Sequence, residues 1–166
     1  MAKDSFFIRA SVTVNNGGFS QTALGLGSYV DALGKSVLRI HNISVQYRDA
    51  VTPSAPPMSN GVGTRAETVY QLTTQSKTAI GYADDRSTIA SGMCEAAEQT
   101  TGQLTNEASD LSPQTWTNGY LIGVEEIYLG GHQSGMVNAT RISIVLECTV
   151  ETLSQSASMA LALSQQ

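Results

Sequence analysis

At 166 residues, with 41% hydrophobic and only 14% charged side chains, the chain is long enough to bury a core without disulfide staples. Its formal net charge is −5 and it has no cluster of Lys and Arg, which argues against direct nucleic-acid binding, because neutralising phosphates requires a basic patch or arm. No apolar stretch approaches the roughly 18 to 20 residues of a membrane-spanning helix, and the opening MAKDSFFIRASVTV lacks the small-residue cleavage site of a signal peptide.

The first element is SFFIRASVTVN, in which Phe6, Ile8, Ala10, Val12 and Val14 alternate with Phe7, Arg9, Ser11 and Thr13, the period of a half-buried strand. Asn15-Asn16-Gly17-Gly18 ends it. Gly25 and Gly27 in LGLGSYV read as turn or bulge glycines. In SVLRIHNISVQYRD, Leu38 and Ile40 share one phase and Ile43, Val45 and Tyr47 the other, so a bulge or bend is expected near His41 and Asn42. VTPSAPPMSNGVGT holds Pro53, Pro56 and Pro57 and reads as a long loop. Gly61 to Ala66 within it match G-x-G-x-x-A, but no strand precedes and no helix follows, so a dinucleotide site is rejected.

ETVYQLTTQSKTAIGY and RSTIASG read as shorter strands, with the turn-forming Asp84-Asp85-Arg86 between them. SGMCEAAEQ reads as one or two helical turns within a connection. Thr100 to Pro113 is polar and loop-like, with GQLTN as a short edge strand at most. In NGYLIGVEEIYLGG the inward phase changes at Glu125 and Glu126. Neighbouring strand residues point to opposite faces, so these carboxylates do not form a glycosidase pair facing one cleft. They mark two strands joined by a bulge or sharp bend, with the glutamates exposed or at a subunit contact. RISIVLECTVETLS is the clearest strand, with Ile142, Ile144, Leu146, Cys148 and Val150 in phase. Residues 154–166 form an arm, a further strand with Met159, Leu161 and Leu163 on one face, or a short helix.

Eight or nine strands with Gly/Pro/Ser-rich connections make the class all-β, a sandwich or a barrel. Catalytic and metal sites are not expected. His41 and His132 lack ligand spacing, and Cys94 and Cys148 make neither a metal pattern nor a disulfide framework. Cys148 is expected to be a buried, inert thiol. The sequons at Asn42 and Asn138 mean little without a secretion signal. Trp116 and Tyr120 are read as a core or interface anchor, with a sugar-stacking platform as the alternative. A surface poor in Lys and Glu suits burial against other subunits.

The first strand, VLRIHNISVQYRD, the proline-rich loop, the GYLIGVEEIYLGG pair and the final RISIVLECTVETLS together resemble a single jelly-roll capsid protein of a small tailless icosahedral virus. The resemblance implies an antiparallel β-sandwich of about eight strands over residues 1–166, placed in a virion after synthesis in the host cytoplasm. Only Lys3 and Arg9 stand where genome-packaging capsids carry a basic arm. That departure fits the capsid proteins of membrane-containing viruses of bacteria or archaea. It implies partners that are copies of the chain and a second capsid protein, over an internal membrane, with no direct nucleic-acid contact and no cofactor. Interface residues are expected at Tyr47, Pro53, Pro56, Pro57, Trp116, Tyr120, Tyr128, Met159, Leu161 and Leu163. A lectin-like carbohydrate-binding module is the alternative. A cupin-type enzyme binding metal through His132 is a third reading.

Overall fold

The computed structural model describes residues 4–31, 35–54, 64–100, 103–110 and 115–166, with the backbone alone described for 98–100 and 103–110. Nine strands and one helix follow in order: β1 (Phe6–Val14), β2 (Phe19–Gly25), β3 (Ser36–Asp49), β4 (Arg65–Thr73), β5 (Thr88–Thr100), β6 (Gln103–Asp110), β7 (Thr115–Ile122), β8 (Glu126–Ser134), β9 (Thr140–Thr152) and α1 (Gln155–Ser164). One sheet has the order β1-β9-β3-β7 and the other β2-β8-β4-β5-β6. The antiparallel pairs β1 with β9, β2 with β8, β3 with β7 and β4 with β5 nest inside one another. A chain doubled back on itself and rolled into two facing sheets has this pairing, so the fold is a jelly-roll β-sandwich, with β6 added at one edge.

Alternation drives the pairing. In β9, Ile142, Ile144, Leu146 and Cys148 are at most 1% exposed, while Arg141 faces solvent. They meet Leu38, Ile40, Leu72, Ile122, Ile127 and Leu129 in the core between the sheets. The expected irregularity in β3 is present: the register against both β7 and β9 shifts between Ile40 and Asn42, which lets both apolar phases of the strand point inward. At Gly131 the facing sheet packs directly on the backbone: a Cβ there would fall 2.7 Å from Ile142 Cδ1 and 2.8 Å from Val14 Cγ1. Only glycine fits that position without moving the opposite sheet.

Several expectations are corrected. Phe19–Gly25 is a strand that the sequence reading left out; it is an edge strand with only Leu24 buried, so its alternation is faint. SGMCEAAEQ is not helical but continues β5, its backbone held between β4 and β6. Gln103–Asp110, read mainly as loop, is a full edge strand. Of the alternatives open for the terminal SASMALALSQQ, the structure takes the short helix. Ser154 caps it, its Oγ accepting from the Ala157 N–H at 3.3 Å, and the run of Ala, Met and Leu that follows holds no β-branched residue. Lys3, Pro56, Pro57 and Gly61–Gly63 lie outside the described residues.

Candidate functional site

Strand β7 is an edge of one sheet and β8 lies between β2 and β4 in the other, so Gly123, Val124 and Glu125 form the corner at which the chain crosses the sandwich. The phase change at Glu125 and Glu126 is this corner: Ile122 and Ile127 are both fully buried, and the two glutamates between them are exposed. The corner is held from two sides. Leu26 N–H donates to Glu125 O at 2.7 Å, and the Tyr128 hydroxyl donates to Glu126 Oε2. That second bond raises the Tyr128 pKa, because ionising the phenol would lose it and set a second negative charge beside the carboxylate.

Helix α1 packs on the same corner. It makes contact with small side chains: Ser158 and Ala162 are buried, and Leu161 and Ala162 lie so close to Gly123 that a Cβ there would be 3.0 Å from Leu161 Cγ. Gln165, 6% exposed, fixes the arrangement. Its Oε1 accepts from Gly123 N–H at 2.8 Å, its Nε2 donates to Leu121 O at 2.7 Å, and its own carbonyl accepts from Thr74 Oγ1 at 2.7 Å. β7 is an edge strand, so at Leu121 this amide occupies a backbone carbonyl that faces no further strand. Between the corner, the β4–β5 connection and the end of α1 lies an open groove of about 650 Å³, lined by Thr74, Ser76, Val124, Glu125, Glu126 and Tyr128 among others.

The remaining expected interface residues fall into distinct settings. Met159 and Leu163 are 44% and 69% exposed and one turn apart on the outer face of α1, whereas Leu161 is half-buried. Trp116 and Tyr120 are half-buried against the core and against each other, with ring centroids 5.5 Å apart. Burial raises the Tyr120 pKa, and a hydrogen bond with Gln165 partly offsets that effect. Tyr47 faces inward and meets the fully buried Tyr70 edge-on at 6.4 Å. Pro53 is exposed in the β3–β4 connection. The structure therefore brings Tyr120, Tyr128 and Leu161 together at the corner and α1, and leaves Tyr47 and Pro53 apart from them.

The histidines hold local structure. His132 Nδ1 donates to Gly18 O at 3.0 Å, and His41 Nε2 lies 2.9 Å from Thr149 Oγ1. Among the described residues no three His, Cys, Asp or Glu side chains converge as a metal-ligand set. Cys148 is buried as its phase predicts, and burial pushes its thiol pKa up to about 12. Sequence reasoning missed Gln165 and Gly123. The signal for Gln165 lay in its position after a helical Ala/Leu run, but its partners are some 40 residues away and only the fold brings them together.

No family model matches the chain, and no curated protein matches it. Among solved structures, a chain from Desmodium yellow mottle tymovirus aligns over 92% of this chain and 91% of its own at 7% identity, with a TM-score of 0.29. A likeness of that degree carries no argument about this chain.

Proposed function

We propose that the chain is a structural subunit of a viral shell, which self-assembles alone or with a second capsid protein, and that it carries out no catalysis. The observation that supports this reading is the orientation of α1. A helix at the surface of a monomer ordinarily turns its large apolar side chains inward. Here Ser158 and Ala162 face the sandwich while Met159 and Leu163 face outward, so the larger apolar area is offered to another surface. The charge-poor composition fits the same use, because Lys and Glu are depleted where subunits meet.

The test is the native mass of the purified chain at high concentration, by light scattering and negative-stain microscopy, beside a Met159→Ser/Leu163→Ser variant. Shells or rings in the wild type, lost in a variant with an unchanged melting temperature, are expected. A wild-type chain that remains at 17.5 kDa and binds a glycan array would overturn the reading in favour of a carbohydrate-binding module.

A further inference from the structure

The outer face of the β1-β9-β3 sheet carries an arginine cluster at one end. Arg48 on β3 and Arg141 on β9 are register partners, so both side chains stand on the same face, directly opposite each other. Thr13 on β1 is opposite Arg141 on the other side, and Arg9 lies further along β1, across from Val145. Arg9 and Arg141 share a shallow groove of about 450 Å³ with Ser11 and Ser143. Among the described residues none of the three arginines forms an ion pair. Arg141 donates to Ser11 Oγ at 3.0 Å, and Arg9 lies over the Phe7 ring at 5.8 Å. At the far end of the same face Arg39 is neutralised by Glu151 at 2.7 Å. Like charges directly opposite on a sheet disfavour folding, so Arg48 and Arg141 hold an arrangement that an anion docked between them would relieve; Glu147, on the same face, lies opposite Phe7 and further along β9.

The anion is available on the same molecule but out of its own reach. Ile122, the last residue of β7, is level with Leu38 and therefore with Val150, nine residues along β9 from Arg141. At about 3.3 Å per residue, roughly 30 Å separates the level of the Glu125–Glu126 corner from the Arg48–Arg141 pair, and roughly 17 Å separates it from the level of Arg9. The corner is exposed, its backbone is pinned by Leu26, and Tyr128 orients the Glu126 carboxylate. Carboxylates on successive residues diverge, which suits two separate guanidiniums better than one. A chain of net charge −5 repels its own copies at most orientations, and the basic face is where an acidic corner is attracted.

We propose that the arginine face of Arg9, Arg48 and Arg141 on one copy receives the Glu125–Glu126 corner of the next. This is a head-to-tail contact between identical chains, and it rests on the assembly reading above. Because the two surfaces differ and lie at opposite ends, the contact is heterologous, the type that closes rings or extends arrays.

The experiment compares the full chain with Arg9→Glu/Arg141→Glu, with Glu125→Arg/Glu126→Arg and with an equimolar mixture of the two variants, by sedimentation at low and high NaCl. Each variant alone is expected to lose assembly, with its melting temperature kept to within a few degrees. The mixture is expected to regain assembly, since each reversed surface then finds a complementary one on the other variant. Wild-type assembly should weaken as salt rises. If the wild type and both variants assemble alike, the contact is wrong and the assembly reading stands. If the wild type never assembles, both fall. If only the arginine variant fails and the mixture does not recover, the pairing is overturned. The face then belongs to another anion, with phosphatidylglycerol vesicles and a short single-stranded DNA as the two probes.

Discussion

Replacing Gln165 with Ala removes one amide that serves two backbone groups, the Leu121 carbonyl on the edge strand β7 and the Gly123 N–H in the corner that follows it. A buried backbone group left without a partner costs about 1–3 kcal/mol. Two of them, softened because water enters once the helix end lifts, place the loss at about 2–4 kcal/mol. For a chain of this length each kcal/mol moves Tm by about 2–4 °C, so the expected fall is roughly 5 to 15 °C. Calorimetry measures the Tm, and native-state hydrogen exchange locates the change, with the Gly123 amide expected to lose protection while Ile144 and Leu146 keep theirs. Gln165→Glu retains the acceptor for Gly123 but sets a carboxylate against the Leu121 carbonyl, and is expected to be at least as damaging at neutral pH. A Gln165→Ala chain that melts within about 1 °C of the wild type with Gly123 still protected would refute the claim that this side chain holds α1 on the corner.

Gly131→Ala inserts a methyl group against Ile142 and Val14 on the facing sheet and is expected to cost about 1–3 kcal/mol by overpacking, read as a lowered denaturant midpoint. Acid is expected to destabilise the fold through Asp49 and Asp85. Asp49 accepts from the Thr52 N–H, the Asn138 amide and the Val51 N–H, and Asp85 from Lys77 and Ser87, and both are held below the ordinary value of 3.8. The folded state thus binds fewer protons than the unfolded one; the stabilisation is full above the unfolded pKa and is lost as pH falls through the folded values. Comparing acid unfolding of Asp85→Asn with the wild type checks this, and an unchanged acid midpoint would count against it. Cys148 is expected to resist iodoacetamide at pH 8 in the folded chain and to react once urea unfolds it, because burial keeps its thiol protonated up to about 12. The same raised pKa means that stability falls as pH rises above the unfolded thiol value of 9.0 toward about 12.

The sequence by itself determined the strands whose side chains alternate against a two-sided environment. β1 and β9 were legible because one face meets the core and the other meets water, and the β3 bulge and the β7–β8 corner were legible as breaks in that alternation. Where burial is one-sided and slight, as in β2, or where Ala and Glu dilute the pattern, as in β5, the period vanishes and partner strands alone define the element. The terminal segment shows the limit from the other side. Met159, Leu161 and Leu163 alternate like a strand, but a capping Ser154 and residues of high helix propensity make a helix, which leaves Met159 and Leu163 facing outward. The Gln165 clamp and the arginine face were decided by the tertiary structure alone. Each depends on groups from strands far apart in the chain, and one residue's chemistry does not reveal which neighbour the roll of the sheets will set beside it.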